Sequence, residues 1–131
     1  MTEATTMGKK RVLVIDDEEI VRISCKRVLE TEGYDVVLAS SGLMALASIE
    51  NGHYDLVITD LMMPEMDGFE LISVLREKWP HLKVVVMTGY GTDDTRLKSV
   101  ELGAAIFLKK PFLPEQLLAV ADSSVSTLFY D

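Results

Sequence analysis

Along this chain, short unbroken apolar runs alternate with longer stretches in which apolar residues return every third or fourth position. The runs are RVLVI (11–15), DVVLA (35–39), DLVIT (55–59), KVVVM (83–87) and AIFLK (105–109). Apolarity without alternation is what a parallel strand shows when helices cover both of its faces. The stretches between carry Ile20, Ile23, Val28 and Leu29; then Leu43, Leu46 and Ile49; then Phe69, Ile72 and Leu75; then Leu97 and Val100; and last Leu117, Leu118, Ala121, Val125 and Leu128. Each set predicts one buried helical face. Five strands, each followed by a helix, predict an α/β fold of (βα)5 type with right-handed crossovers.

Punctuation agrees with the periodicity. Gly33, Gly52 and Gly103 each follow a helical stretch, where a left-handed cap residue is expected. Pro80 ends the third helix, and Asp67 with Glu70 predicts a capping box at its start. Pro114 suits the first turn of the last helix, although Leu113 before it is a poor N-cap. Residues 1–8 read as a loose tail and 9–127 as one domain. Residues 128–131 read as a second tail or the start of a linker, and their Leu128, Phe129 and Tyr130 fit a helix extension, a partner contact or a cut end equally.

Composition narrows the possibilities. A chain of 131 residues with 48% hydrophobic and 26% charged residues is neither disordered nor of low complexity. Thirteen Lys and Arg against twenty-one Asp and Glu give a net charge of -8, and no basic run exists to displace phosphate counterions. Direct nucleic-acid binding by this domain is therefore not expected. The lone Cys25 suits a reducing compartment, the opening MTEATTMGKKR is no secretory signal, and the strongest apolar runs fall far short of the about 20 residues of a membrane span. A cytoplasmic location away from membranes is the expectation.

In open parallel sheets, ligands bind beyond the carboxyl ends of the strands. At those ends stand Asp16, Asp17 and Glu18 after strand one, Asp60 after strand three, Thr88 and Gly89 after strand four, and Lys109, Lys110 and Pro111 after strand five. Carboxylates gathered this closely drive each other toward protonation unless a cation intervenes. Mg2+, held by one or two carboxylates together with a phosphate, meets that need, whereas the His and Cys content expected for zinc is missing. Taken singly, each residue also reads as ordinary turn or surface chemistry. It is their joint placement on one edge that predicts a site for Mg2+ and a phosphoryl group.

The segments VLVIDDEE (12–19), LVITDLMMPEMDGFELI (56–72), VVVMTGYG (84–91) and FLKKPF (107–112) make the chain resemble a two-component response-regulator receiver domain over about residues 9–127. The resemblance implies the flavodoxin-like (CheY-like) strand order 2-1-3-4-5. It implies that Asp60 is the phosphoacceptor, attacking a phosphohistidine on a sensor histidine kinase or a histidine phosphotransfer protein. Asp16, Asp17, Asp60 and the main-chain carbonyl of Met62 would hold Mg2+, and Lys110 would pair with Asp60 and then with phosphoryl oxygens. The Lys110–Pro111 bond is the candidate cis peptide. His53 and His81 read as exposed turn residues rather than phosphodonors.

By the same resemblance, Thr88 would donate to the phosphoryl group and draw in the loop at Gly89, while Phe107 would change rotamer to follow it. Phe107 also reads as a plain core residue. The face formed by the fourth helix, fifth strand and fifth helix would then bind partners or form a homodimer, with Tyr90 and Met62 limiting water at the site. A phosphohydrolase is disfavoured because Asp60 is followed by Leu61 and Met62, with no second acid two residues on. A flavin-phosphate binder is disfavoured by three consecutive acids after strand one, and a receiver without phosphorylation by the completeness of the acid set. Self-phosphorylation and slow self-dephosphorylation, without turnover of outside substrates, are the expectation.

Overall fold

The computed structural model describes residues 9–89, 91–104 and 106–126. Among them strands and helices alternate as the periodicity predicts: β1 (Arg11–Ile15), α1 (Glu19–Glu30), β2 (Asp35–Ala39), α2 (Gly42–Glu50), β3 (Leu56–Asp60), α3 (Gly68–Lys78), β4 (Lys83–Thr88), α4 (Asp93–Glu101), β5 (Ile106–Lys109) and α5 (Pro114–Ser126). The strands form one parallel sheet in the order β2-β1-β3-β4-β5, as the flavodoxin-like arrangement requires. The expectations placed on the two tails, on Tyr90 and on Ala105 lie outside the described residues. No helix among the described residues is long and apolar enough to cross a membrane.

Side chains of a strand alternate between faces, so each apolar run supplies two cores. Leu13, Ile15, Val57, Val84 and Val86 pack with Ala45 and Ile49 of α2 and with Leu71, Ile72 and Leu75 of α3. Val12, Val14, Leu56, Ile58, Val85 and Met87 pack on the other face with Cys25 and Leu29 of α1 and Leu117 and Ala121 of α5. Burial on both faces is the reason these strands carry no polar alternation.

The structure corrects several local expectations. β3 runs one residue later than predicted and ends on Asp60, because Asp55 is drawn into the strand entrance, its Oδ2 accepting from the Arg11 amide at 2.8 Å. Ile20, Leu43, Leu97 and Val100, assigned to buried stripes, are 75, 58, 59 and 53% exposed. Leu29 and Ile49 are buried as expected, and the other buried positions of those helices are Cys25, Gly42, Ala45 and Ser99. Small residues hold inward positions on α2 and α4, while these larger neighbours face solvent. Gly33 (φ 85°) and Gly103 (φ 109°) are the left-handed residues expected, but Gly52 is not. Asn51 caps the C-terminus of α2, its Nδ2 donating to the Ala47 carbonyl at 2.8 Å. The capping box of Asp67 and Glu70 is present, and Pro114 opens α5 with the Leu113 amide donating to Gln116 Oε1 at 2.7 Å.

Cys25 yields a direct test of this packing. It is 2% exposed, and burial, then the Asp16 carboxylate, push its thiol up to about 11 against the opposing pull of Lys110. An ordinary cysteine titrates near 8.5, and only the thiolate reacts. Alkylation of the native protein at pH 8 should run roughly 100-fold or more slower than in denaturant. Comparable rates would place Cys25 outside the core.

Candidate functional site

The sheet gathers its charged residues at one end because β1, β3, β4 and β5 stop almost level. Asp16 follows the last residue of β1, Asp60 ends β3, Thr88 ends β4 opposite Lys109, and Lys110 follows β5. The Lys110 amide donates to the Thr88 carbonyl at 2.8 Å, carrying the ladder one residue past β5 before the cis Lys110–Pro111 bond.

Lys110 is the centre of the cluster. Its Nζ donates to Asp16 Oδ2 at 2.7 Å and lies 3.4 Å from Asp60 Oδ2. Asp16 is fully buried, and its Oδ1 accepts from the Glu18 amide at 2.9 Å. Asp60 is 6% exposed, with Oδ1 accepting from the Leu61 amide at 2.9 Å. Asp17 is exposed, yet one carboxylate oxygen from each of Asp16, Asp17 and Asp60 lies within 4.8 Å of the others. No other such group of metal-ligating side chains occurs among the described residues.

The electrostatics follow from this packing. Burial first, and the Asp16 charge besides, hold the Asp60 carboxyl above the ordinary carboxylate range, while Lys110 and the amides of Met62 and Leu61 pull it down. Burial alone would lower Lys110. The Asp16 hydrogen bond and the charges of Asp60 and Asp16 outweigh it, so the ammonium is retained more firmly than usual. Three carboxylates against one ammonium leave an excess of negative charge facing solvent through Asp17. This all-oxygen donor set, partly open to water, fits a hard divalent cation of the Mg2+ type and no softer metal.

The remaining expected residues lie on β4, on β5 and in the segments that follow β3 and β4. Thr88 is fully buried at the end of β4. Phe107 is half-buried against the α2–α3 core, and its Cε2 lies 3.2 Å from where a Gly91 side chain would begin. Gly89 is exposed, with open space where a Cβ would stand and no left-handed backbone, so nothing at that point requires glycine in this conformation. The Met62 side chain is 55% exposed. His53 lies exposed in the segment between α2 and β3 and His81 exposed in the turn before β4, away from the cluster.

Two residues that support the site escaped the sequence reading. Gly68 presses the start of α3 against the Asp60–Leu61 backbone, and Arg22 donates to the Asp16 carbonyl at 2.8 Å. The only signals were a glycine directly after an N-cap and an arginine six residues beyond the first acid, and neither spacing is distinctive alone.

Comparison with known proteins agrees with the geometry. Residues 12–122 match the family described as response regulator receiver domain. The response regulator MprA of Mycobacterium sp. (strain KMS) is 41% identical over 109 residues, covering 83% of this chain and 47% of MprA. The chain thus spans about half the length of the curated relatives it matches. Among solved structures, a CheY-like receiver domain protein of Methanospirillum hungatei superposes with a TM-score of 0.88 at 32% identity, covering 92% of this chain and 97% of that one. The chemotaxis protein CheY4 of Vibrio cholerae gives 0.84 at 30% identity, with 88 and 98% covered. NtrX of Brucella abortus gives 0.88 at 30% identity, with 93% of this chain covered but 28% of that longer one. Fold, strand-end chemistry and relatives converge: the chain belongs to the receiver domains of two-component response regulators.

Proposed function

We propose that Asp60 accepts a phosphoryl group from a phosphohistidine on a sensor histidine kinase or histidine phosphotransfer protein. The observation that carries this reading is Lys110 bridging Asp16 and Asp60 beside a third carboxylate. An Asp60 carboxylate oxygen forms the new O–P bond as the P–N bond of the donor breaks, and the imidazole leaves to take up a proton. Lys110 follows the negative charge onto the phosphoryl oxygens, and the Leu61 amide keeps the Asp60 carboxylate oriented for in-line attack. Asp16, Asp17, Asp60 and the Met62 carbonyl are the groups that would hold Mg2+, whose charge, when bound, offsets the repulsion between carboxylates and incoming phosphate.

The domain turns over no outside substrate in this reading, since Leu61 and Met62 supply no second acid beside Asp60. It acts in the cytoplasm as a switch controlling a partner or an attached output domain. Nucleic-acid binding, where the full regulator has it, belongs to another part of that protein. The exposed Leu97 and Val100 on α4 support partner binding or homodimerisation through the α4-β5-α5 face. Incubation with a small acyl phosphate and Mg2+ should add one phosphoryl group by intact mass, and no uptake would refute the proposal.

Thr88 carries the response to that group. Its hydroxyl donates to a phosphoryl oxygen, moving the end of β4, and Phe107 on the neighbouring strand repacks toward the space released. Thr88→Ala should accept phosphate yet show amide shift changes around Phe107 that are less than about half of the native ones. A full response in Thr88→Ala would remove Thr88 from the switch.

A further inference from the structure

The β1–β3 ladder closes on the pair Ile15–Thr59, and within Asp16, Asp17 and Glu18 the chain turns from strand into α1. The Asp16 amide still donates to the Ala39 carbonyl of β2 at 3.2 Å, and three further bonds pin the residue at this turn. Its Oδ1 takes the Glu18 amide, its Oδ2 takes Lys110, and its main-chain oxygen takes Arg22 Nη1 at 2.8 Å. The first bond is local to the turn, and the second is released in part once Lys110 turns to a phosphoryl group. The Arg22 amide also donates to the Glu18 carbonyl at 3.2 Å, but it is the half-buried Arg22 side chain that holds the Asp16–Asp17 peptide itself to α1.

A peptide unit is planar, so the Asp16 carbonyl and the Asp17 amide and Cα share one plane. Fixing that carbonyl fixes the direction in which Asp17 leaves the strand. We propose that Arg22 is a positioning residue for the metal-binding acids, orienting the Asp16–Asp17 peptide so that the exposed Asp17 carboxylate meets those of Asp16 and Asp60. This rests on the reading of the acids as a Mg2+ site. Groups behind metal ligands are commonly worth 10- to 100-fold in affinity.

Charge and positioning predict opposite signs here. A guanidinium near a cation site repels the cation, so as a mere charge Arg22 weakens Mg2+ binding and its removal tightens it. As a positioning group it strengthens binding. Mg2+ titration of the metal-free protein, read from the amide shifts of residues 16–18, separates the two. Arg22→Met keeps length and apolar bulk but loses the donor, and should weaken Mg2+ binding about 10-fold. Arg22→Lys keeps one donor and the charge, and because a single hydrogen bond is involved it should stay within about twofold of native. Unchanged or tighter binding in Arg22→Met overturns the proposal, as does an equal loss in Arg22→Lys, which assigns the effect to packing. Arg22→Leu, which also lacks a donor, replaces Arg22→Met with the same expected direction should the latter not fold. Absence of Mg2+ binding by the native chain overturns the site itself, a result distinct from any failure of Arg22.

Discussion

Asp60→Asn is expected to take up no phosphoryl group under conditions in which the native chain gains one. Asparagine keeps the shape of the side chain and an oxygen to accept from the Leu61 amide, so the loop after β3 holds its place. It loses the charge of the proposed nucleophile, and a neutral amide oxygen does not displace a leaving group from phosphorus at useful rates. Labelling at the native level would move the acceptor elsewhere, with the exposed Asp17 the first position to map. The same variant carries a second, independent readout. A carboxyl raised by burial binds its proton more tightly in the folded state than in the unfolded chain. Its stability contribution is then greatest below the ordinary aspartate range and is lost as pH rises through the folded value. At neutral pH the ionised Asp60 therefore destabilises the metal-free fold, and Asp60→Asn should melt above the native protein in a chelator. The gap should close as pH falls toward the ordinary aspartate value, about 4. A lower melting temperature at neutral pH would mean that pairing with Lys110 outweighs the burial of Asp60.

The chain displays its strands far more openly than its helix faces. Continuous Val, Ile and Leu runs have one common structural cause, burial on both sides, and they locate β1 to β5 to within a residue. Helix faces depend on how closely each helix approaches the sheet. Ala45 and Ser99 mark the contact sides of α2 and α4, whereas Leu43, Leu97 and Val100 point to solvent. A hydrophobicity pattern gives weight to the larger residues, so beside the core-facing Leu46 and Ile49 it also takes in Leu43, and on α4 it selects only outward residues. The site was legible because topology alone brings strand ends together, and Asp16, Asp17, Asp60 and Lys110 meet there. What topology does not encode is which carboxylate Lys110 approaches most closely. The buried Asp16 has the shorter contact, 2.7 Å against 3.4 Å for Asp60, which leaves Asp60 the more weakly engaged oxygen.

Gly68→Ala should be among the most damaging single-methyl changes at this edge. A Cβ on Gly68 would lie 2.5 Å from the Asp60 carbonyl oxygen and 2.7 Å from Leu61 Cα. Even a weak C–H···O contact needs about 3.3 Å between carbon and oxygen. The obstructing atoms are backbone, so no rotamer change relieves the overlap. α3 must retreat or the end of β3 must shift, although the Gly68 amide is bonded to the Leu61 carbonyl at 2.9 Å and the capping box of Asp67 and Glu70 fixes the helix start. Alanine gains roughly 0.4–1 kcal/mol by restricting the unfolded chain, whereas overpacking of this kind costs about 1–3 kcal/mol or more. The second effect wins, and a fall in melting temperature on the order of 5–10 °C follows for a domain this size. Phosphoryl uptake should slow as well, since the displaced backbone carries Asp60, the proposed acceptor. Gly89→Ala is the matched control: with nothing within 4 Å of the new methyl and no left-handed φ, it should melt at or slightly above the native temperature. If Gly68→Ala and Gly89→Ala melt together, the close approach of α3 to the Asp60 backbone does not limit this fold.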